Sequence, residues 1–260
     1  MFAQERRQAI TKKLYQDRSV KVSDLTALFG VSIETIRRDM EHLEQQGILK
    51  RVHGGAIVAD TDYRNELSVE IREMKFTDAK MELGDMAARL VGKGQSIAID
   101  VGTTTTAFAR ALKKRVDKLT VLTNSLTIAS ELVEMPDYTI IFAGGVIRNE
   151  EHCTVGGIAE TFVSQFHVDV FYTSVSGLSL EAGVTDYGIG EIQVKKKIIQ
   201  SAKETVILAD SSKFEQTSLL DVCGFDRVAR VVTDSLIDPD IVRRYREAGI
   251  EVVVAPAENR

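Results

Sequence analysis

The sequence holds few of the residues that mark metal sites, disulfide-rich domains or membrane segments. It has two cysteines in 260 residues, Cys153 and Cys223, and neither belongs to a spacing typical of metal ligands. We therefore expect free thiols in a reducing cytoplasm, and neither a metal nor a cofactor. No apolar run approaches the 18 residues that a membrane helix needs, so no membrane partner is expected. The charged N-terminal segment has no apolar core, which argues against a signal peptide.

The charged residues are distributed unevenly between the beginning of the chain and the remainder. Hydrophobic residues make up 44% and charged residues 27%, as in ordinary soluble proteins, and 260 residues favour two domains. The chain has 33 Lys and Arg against 38 Asp and Glu, a net charge of −5. Residues 1–58 hold 10 basic and 7 acidic residues, so the acidic excess lies in the remainder. A small basic module joined to an acidic body is typical of a regulator that binds nucleic acid.

The stretch Val31–Gly55 predicts a helix followed by a hairpin. Ser32 can cap the helix, because its hydroxyl can accept a hydrogen bond from an unpaired backbone N–H. Three apolar residues then recur at helical spacing and share one face: Ile36, Met40, Leu43. A glycine ends the helix. Residues 48–53 are then expected to pair with residues 56–58 across a turn at Gly54-Gly55.

Two further helices and a short strand precede this stretch. Residues 2–16 predict a charged amphipathic helix, residues 19–22 a third strand for the hairpin, and Ser23 the cap of a second helix. Helix, strand, helix, turn, helix and hairpin make a winged helix-turn-helix, so residues 1–58 are assigned to a DNA-binding domain. The third helix fits the major groove, and the hairpin can reach phosphates beside it.

The same stretch resembles the signature of the DeoR family of bacterial transcriptional regulators. The family pattern V-S-x-x-T-I-R-R-D-hydrophobic, then L-E-x-x-G, then R-x-H-G-G-A, is met at every position from Val31 to Ala56. The candidates for contact with a double-stranded DNA operator are Ser32, Glu34, Thr35, Arg37, Arg38, Arg51, His53. Simpler alternatives stay open: Arg37 and Arg38 are merely solvated, or His53 is a turn residue that touches the DNA backbone at most.

Beyond residue 95, short apolar runs alternate with helical patterns. Residues 59–73 predict a polar linker, and residues 74–90 predict a helix. Seven apolar runs follow, at residues 96–100, 119–123, 138–143, 170–176, 205–209, 228–233 and 250–254. Helical patterns separate them at residues 104–114, 126–134, 157–166, 192–202 and 239–248. This alternation predicts an α/β domain with a mainly parallel sheet over residues 74–260.

Small and polar residues follow five of these strands, at the sheet edge where open α/β sheets bind ligands. Asp100 is followed by Gly102–Thr106, a glycine and four hydroxyls at a helix N-terminus that can bind an anion. This loop is neither a P-loop nor a GxGxxG motif, so a nucleotide is not indicated. The strand ends together fit a small polyol that bears a phosphate. The candidate effector-binding residues are Asp100, Gly102, Thr103, Thr104, Thr105, Thr123, Asn124, Ser125, Gly144, Gly145, Arg148, Glu191, Lys195, Asp210, Lys213.

The resemblance to the DeoR family extends over nearly the whole chain. Its C-terminal markers are matched by D-x-G-T-T-T at Asp100–Thr105, T-N-S at Thr123–Ser125, G-G at Gly144–Gly145, E-x-x-V-K at Glu191–Lys195 and D-x-S-K-F at Asp210–Phe214. The resemblance implies a Rossmann-like domain similar to sugar-phosphate isomerases and CoA transferases, with a phosphorylated sugar as effector. Ser174–Gly177 departs from the Gly-Ala-x-Gly-like segment common in the family, and this departure bears on the identity of the effector.

These observations predict a transcriptional regulator, a repressor of carbohydrate-metabolism genes, and not an enzyme. A homo-oligomer, dimer or tetramer, is expected because two DNA-binding modules on paired half-sites multiply a weak contact. The alternative is an isomerase-like enzyme fused to a DNA-binding module, with Asp100, Glu191, Asp210 and a lysine as acid–base groups. It ranks lower because the K-G-x-G-G-A pattern of ribose-phosphate isomerases is absent. A third hypothesis makes the second domain only an oligomerisation platform.

Simpler alternatives also stay open within the effector site. The loop Gly102–Thr106 can be no more than a capped helix start. Glu191 and Lys195 are four residues apart on a predicted helix and can pair with each other. Lys213 can be an ordinary surface lysine.

Overall fold

The chain divides into two compact units in the computed structural model. The model describes residues 2–17, 19–58 and 69–257. The two units are Met1–Phe76 and Thr77–Arg260.

The first unit has the predicted winged-helix architecture. Its first elements are α1 (Ala3–Asp17), β1 (Ser19–Lys21), α2 (Val22–Phe29), α3 (Ile33–Gln45), β2 (Leu49–Val52) and β3 (Gly55–Val58). The strands form an antiparallel sheet in the order β1-β3-β2, so the predicted third strand is confirmed. Residues 59–68 of the predicted linker lie outside the described residues, and a short helix, α4 (Val69–Met74), follows them.

Helical periodicity explains how the helices of this unit pack. Each helix turns one apolar stripe inward, because residues three and four apart share a face. The buried core consists of Ile10, Leu14, Val20, Leu25, Ile36, Met40, Leu43, Ile48, Leu49, Ala56. Ile71 of α4 packs against the same core, so α4 belongs to this unit.

The predicted cap of α2 is wrong. The cap position is Lys21, which makes no side-chain cap hydrogen bond, and Ser23 lies inside the helix. The strand β1 runs directly into α2, and the backbone N–H of Val22 donates to Gly54 O at 2.9 Å. A backbone contact with the hairpin therefore replaces the expected side-chain cap.

The predicted hairpin turn is displaced by one residue. Val52 pairs with Gly55, so the turn consists of His53 and Gly54. Gly55 instead lies buried in β3, where a side-chain Cβ would stand 2.1 Å from the carbonyl oxygen of Val20. The second glycine is thus needed for the close approach of β1 to β3, and not for the turn.

The second unit contains a seven-stranded parallel sheet, as predicted. The strands that form it are β4 (Ser96–Ile99), β5 (Leu119–Thr123), β6 (Tyr138–Phe142), β9 (Val170–Ser174), β12 (Glu204–Leu208), β14 (Arg230–Thr233) and β15 (Val252–Val254). Their order is β15-β14-β12-β9-β4-β5-β6, and every neighbouring pair is parallel. The helices are α5 (Thr77–Ala88), α6 (Thr103–Leu112), α7 (Leu126–Leu132), α8 (Gly157–Val163), α9 (Ile189–Ser201) and α10 (Pro239–Glu247).

Helices cover both faces of this sheet because its strands are apolar on both sides. Alternate strand residues enter different cores. Ala98 packs in the core on the side of α8, α9 and α10, whereas Ile97 and Ile99 pack with α5, α6 and α7. The result is a three-layer α/β/α domain, and its strand ends on one edge carry the polar residues singled out above.

Short strands of this unit escaped prediction. They form an antiparallel hairpin, β7 (Val146–Arg148) with β8 (Cys153–Val155), and a small antiparallel sheet of β10 (Gly177–Ser179), β11 (Gly183–Asp186) and β13 (Leu220–Cys223). These strands mix polar with apolar residues, so they lack the continuous apolar runs by which the strands of the parallel sheet were recognised. The helix predicted over residues 74–90 begins later, at Thr77, because Phe76 has a left-handed backbone (φ +52°) between α4 and α5. Within the described residues, no helix is long and apolar enough to cross a membrane.

Candidate functional site

The recognition helix α3 presents its basic residues outward. Ser32 caps the helix as predicted, since its hydroxyl accepts from the backbone N–H of Thr35 at 3.2 Å. Arg37 and Arg38 are exposed, while Ile36 on the opposite side is fully buried. The nearest carboxylate oxygen of the exposed Glu34 lies 4.0 Å from Arg37 Nη1. The outward faces required for DNA contact are therefore present.

The wing, which is the hairpin of β2 and β3, is bound to α3 through Arg51, a residue that the sequence predicts to contact DNA. Arg51 Nε lies 2.5 Å from Glu44 Oε2, and the backbone N–H of Arg51 donates to Glu44 Oε1 at 2.9 Å. These hydrogen bonds hold the pKa of Glu44 below its usual value. Glu44 thus fixes the wing on the recognition helix, a role that no motif indicated. His53 is exposed at the tip of the turn.

A buried lysine joins two carboxylates beside the end of β4. Lys195 Nζ donates to Ser174 O at 2.6 Å, lies 3.1 Å from Asp100 Oδ2 and also pairs closely with Asp186. The Lys195 side chain is 2% exposed. An ammonium group has three protons, so these contacts use its whole donor capacity. In this arrangement Lys195 has no donor left for an effector.

The two carboxyl groups of this cluster are not equivalent. Burial raises the pKa of Asp100, although the ammonium of Lys195 and the hydroxyl of Thr173, 2.5 Å away, oppose the shift. Burial acts on Asp186 as well, but Lys195 and the hydroxyl of Ser176 outweigh it and lower the pKa. Asp186 is therefore the carboxylate that stays ionised as the counter-ion of Lys195. Burial alone would lower the pKa of Lys195, but the two carboxylates outweigh burial and raise it. Asp186 lies in a short strand, and sequence analysis missed it.

The threonines at the start of α6 divide into two pairs. Thr105 and Thr106 use their hydroxyls inside the turn, donating to Gly102 O at 3.0 and 2.8 Å. Thr103 and Thr104 form no side-chain hydrogen bond within the described residues. Gly102 is closely surrounded by side chains, since a Cβ there would lie 2.1 Å from the hydroxyl oxygen of Ser174 and 3.1 Å from that of Thr105. The helix start therefore has two hydroxyls, of the half-buried Thr103 and the buried Thr104, beside the unpaired backbone N–H groups of its first turn.

Glu191 and Lys195 do not pair with each other, although both lie on α9. Arg148 Nη1 lies 2.8 Å from both carboxylate oxygens of Glu191, and the thiol of Cys153 is 3.6 Å from Oε1. Burial and the Glu191 carboxylate raise the pKa of Cys153, so this thiol is unreactive. Arg148 and Cys153 belong to the β7–β8 hairpin, which this ion pair fixes to the start of α9.

The loop after β5 is bound to the same hairpin. The side-chain amide of Asn124 donates to Thr154 O at 2.9 Å, and the backbone N–H of Thr154 donates back to Asn124 O at 2.9 Å. Asn124 Oδ1 is buried and has no hydrogen-bond partner in the described part of the chain. The neighbouring hydroxyls serve the fold: Thr123 accepts from Ser125 N at 3.1 Å, and Ser125 caps α7. Asn124 therefore carries the free polar atom of this loop.

Two further predicted residues lie beyond β12. Asp210 Oδ1 accepts from the backbone N–H of Ser212 at 3.1 Å, whereas its buried Oδ2 has no partner among the described residues. Asp234, which sequence analysis missed, directly follows the neighbouring strand β14 and accepts from Ser211 N at 2.6 Å. Lys213 is half-buried, and no ion pair of it occurs in the part of the chain that the structure describes. Within the described residues, no hydrogen bond or ion pair joins Lys213 to Lys195, Asp100 or Asp186.

The two glycines after β6 stand apart from these clusters. Gly144 and Gly145 are exposed beside the hairpin, and a Cβ at Gly145 would lie 2.9 Å from Val155 O. A surface cavity of about 550 Å³ lies beside α7. Its lining residues are Lys113, Leu126, Thr127, Ser130, Glu131, Glu134 and His152. Lys113 is already paired with Glu131 at 3.3 Å. The cavity contains none of the predicted effector residues and does not support an effector site there.

A winged helix joined to an α/β domain with polar strand ends defines a DNA-binding regulator with a sensor domain. Two family models match the chain: a DeoR-like helix-turn-helix domain over residues 6–62 and the DeoR C terminal sensor domain over residues 75–235. The chain belongs to the DeoR family and is a transcriptional regulator. The resemblance that the sequence motifs carried is confirmed.

Curated relatives cover nearly the whole chain. One is a protein of Escherichia coli O157:H7, provisionally named aga operon transcriptional repressor, which is 34% identical over 96% of this chain and 93% of its own length. Another, from Haemophilus influenzae, is a glycerol-3-phosphate regulon repressor, 31% identical over 98% of both chains. Among solved structures, a ribose 5-phosphate isomerase A from Methanocaldococcus jannaschii is similar, with a TM-score of 0.39 and 18% identity over 53% of this chain and 54% of that chain. The curated relatives are named as repressors, which disfavours the enzyme alternative.

Proposed function

We propose that this protein is a repressor of carbohydrate-metabolism genes that a phosphorylated sugar or polyol releases from its operator. It binds double-stranded DNA as a homo-oligomer in the cytoplasm, with paired modules on paired half-sites. The relative named glycerol-3-phosphate regulon repressor supports a phosphorylated polyol as the class of effector. The observation that carries the proposal is the start of α6, where two threonine hydroxyls without hydrogen bonds in the described residues adjoin unpaired backbone N–H groups.

On the DNA side, α3 enters the major groove and the wing contacts the flanking backbone. Arg37 and Arg38 are the base or phosphate contacts, since both are exposed on the helix. Thr35, Glu34 and Ser32 line the helix start. Arg51 and His53 of the wing contact phosphates, with Arg51 held in place by Glu44.

On the effector side, the phosphate binds at the N-terminus of α6. Backbone N–H groups and the helix dipole favour an anion there, and the hydroxyls of Thr103 and Thr104 add donors. Lys195 is excluded as the phosphate ligand in this arrangement, because two carboxylates already neutralise its charge. Arg148, one-third exposed, also pairs with two carboxylates, those of Glu191 and Glu150, so the backbone N–H groups and the hydroxyls carry most of the phosphate binding.

The polyol part of the effector satisfies buried polar atoms at neighbouring strand ends. Asn124 Oδ1, next to β4 in the sheet order, has no partner in the described residues and can accept from a ligand hydroxyl. A buried acceptor left without a partner costs free energy, so a hydroxyl that reaches it contributes to binding. Asp210 Oδ2 can act in the same way two strands from β4, on its other side.

Release from DNA follows from linkage. The effector binds one quaternary arrangement of the sensor domains more tightly than the other, and so shifts the population away from the arrangement that fits the operator. A ligand that binds only the folded protein also raises its thermal midpoint.

The first test is a thermal-shift screen of the wild type with glycerol 3-phosphate and a panel of hexose and pentose phosphates, followed by the variant Gly102→Ala. The added Cβ would lie 2.1 Å from Ser174 Oγ and 3.1 Å from Thr105 Oγ1, so Ser174 must rotate and the hydroxyl of Thr105 must shift at the proposed phosphate site. For Gly102→Ala we expect unchanged affinity for the operator, measured by fluorescence anisotropy. The concentration of the phosphorylated compound that releases the protein from DNA should rise about tenfold or more.

The matched control is Gly92→Ala, where the nearest atom to an added Cβ is 3.6 Å away. It should behave as the wild type in both assays. A Gly102→Ala protein that is released at the wild-type concentration would show that the phosphate binds elsewhere. If no phosphorylated compound shifts the wild-type midpoint while the parent sugars do, the effector class is wrong.

A further inference from the structure

A buried ion pair joins α1 to the recognition helix. Arg6 Nε of α1 lies 2.6 Å from Asp39 Oδ2 of α3, and the two side chains are 8% and 7% exposed. Arg7 Nε stands 3.6 Å from the other oxygen of Asp39. The rest of the inner face of α3 is apolar, with Ile36 and Met40 on either side of Asp39 along the helix.

This pair is poorly explained by stability alone. Removing two charges from water is costly, and replacing a buried ion pair by apolar residues of similar volume is often neutral or stabilising. What an ion pair adds is direction, because a short N–H···O contact fixes both the distance and the orientation of the two groups. Apolar side chains such as Ile36 and Met40 pack without such a directional preference.

The position of Asp39 on α3 links the orientation of this ion pair to the orientation of the exposed arginines. Successive residues of an α-helix are rotated by about 100° around its axis. Asp39 directly follows Arg37 and Arg38, so fixing Asp39 sets the directions in which both exposed arginines leave the helix. Arg6 is itself well placed on α1, because it shares a stripe with the core residues Ile10 and Leu14, one and two turns further along.

We infer that Arg6 and Asp39 are positioning residues, which set the rotation of α3 about its axis and so aim Arg37 and Arg38 at the operator. The inference rests on the proposal that these two arginines contact DNA. Neither Arg6 nor Asp39 touches DNA in this scheme. Their loss degrades specific binding, which depends on alignment, and spares non-specific binding, which depends on net charge.

The test is the double variant Arg6→Met/Asp39→Leu, which keeps the net charge and the approximate side-chain volumes. The probes are an operator selected from random duplexes with the wild-type protein, and a scrambled duplex of the same length. We expect a thermal midpoint at or above that of the wild type, unchanged affinity for the scrambled duplex, and operator affinity lowered on the order of tenfold or more. The control is Lys13→Met/Asp17→Leu, which removes an exposed pair of 2.8 Å from the same helix and should leave all three values unchanged.

Operator affinity within twofold of the wild type for Arg6→Met/Asp39→Leu would overturn the inference, as would an equal loss for both duplexes. If the double variant fails to fold, Arg6→Lys replaces it, since the charge remains but the guanidinium geometry is lost, and the same comparison decides. Arg38→Ala, measured in parallel, separates the two proposals. If Arg38→Ala keeps its operator affinity, the proposed DNA-contact surface is wrong whatever Arg6 and Asp39 do.

Discussion

Replacing Lys195 by methionine should destabilise the sensor domain far more than it alters a ligand contact. The substitution leaves Asp100 and Asp186, whose side chains are 4% and 17% exposed, without their shared counter-ion. Removing one partner of a buried ion pair costs about 3–5 kcal/mol, because the remaining charge is buried and uncompensated. For a domain of this size, that cost corresponds to a fall in the thermal midpoint of roughly 6–20 °C.

The matched control is Lys213→Met. Lys213 follows β12, is half-buried and has no ion pair in the described residues, so its loss should change stability by no more than about 0.5 kcal/mol. Scanning calorimetry or thermal unfolding followed by circular dichroism measures both variants. The reasoning fails if Lys195→Met loses less than about 1 kcal/mol, or if the two variants lose equal amounts.

The pH dependence of Lys195→Met gives a second measurement of the same prediction. Without the ammonium, burial holds the pKa values of Asp100 and Asp186 above their unfolded values, so the native state binds more protons than the unfolded state. Stability then falls as pH rises, and the deficit relative to the wild type should be smaller at pH 5 than at pH 8. In the wild type the lowered pKa of Asp186 acts with the opposite sign, since its stabilisation is lost as pH falls below the unfolded value. A deficit independent of pH would show that the cost is one of packing.

Two other predictions concern single hydrogen-bonded groups. Ser32→Ala removes the cap that accepts from Thr35 N, and should lower the free energy of unfolding of the DNA-binding unit by about 1 kcal/mol, measured by urea denaturation; no change would mean that another group caps α3. Asp169 accepts from Ser96 and Lys203, and these contacts, of which the Lys203 hydrogen bond is the largest, lower its pKa to about 2. The stabilisation from Asp169 should therefore be present above pH 4 and lost towards pH 2, so that Asp169→Asn flattens the acid limb of a stability–pH curve, and an unchanged limb would contradict this assignment.

The large elements were predictable because their signals are physical and local. The inner strands of the parallel sheet are buried on both faces, and so appear as apolar runs such as Leu119–Thr123, which the structure reproduces residue for residue. The cap of α3 at Ser32 was also predictable, because it depends only on neighbouring backbone. The same rule failed for the predicted cap of α2 at Ser23. There the backbone N–H of Val22 donates to Gly54 of the hairpin, a contact that neighbouring residues do not reveal.

The partners of the site residues were not predictable in the same way. Glu191 and Lys195 have the spacing of a helical ion pair, but that preference is weak at a few tenths of a kcal/mol. In the fold both are buried, where each meets a partner brought from a distant segment: Arg148 for Glu191, and Asp186 for Lys195. Partners from short strands leave no pattern in the sequence, so the candidate residues could be named but their contacts could not.

The position of α9 explains why these contacts matter for a sensor. Glu191 and Lys195 are one turn apart on this helix, the first bound to the hairpin and the second to the end of β4. The proposed phosphate site begins two residues after Asp100, whose backbone oxygen accepts from Thr105 at 2.9 Å and whose carboxylate contacts Lys195. A ligand that displaces this loop therefore changes the contacts of Lys195, and with them the balance of charges at the start of α9. Because the cluster is buried, such a change costs far more than it would at the surface. The Lys195 cluster is thus better suited to transmit binding than to perform it.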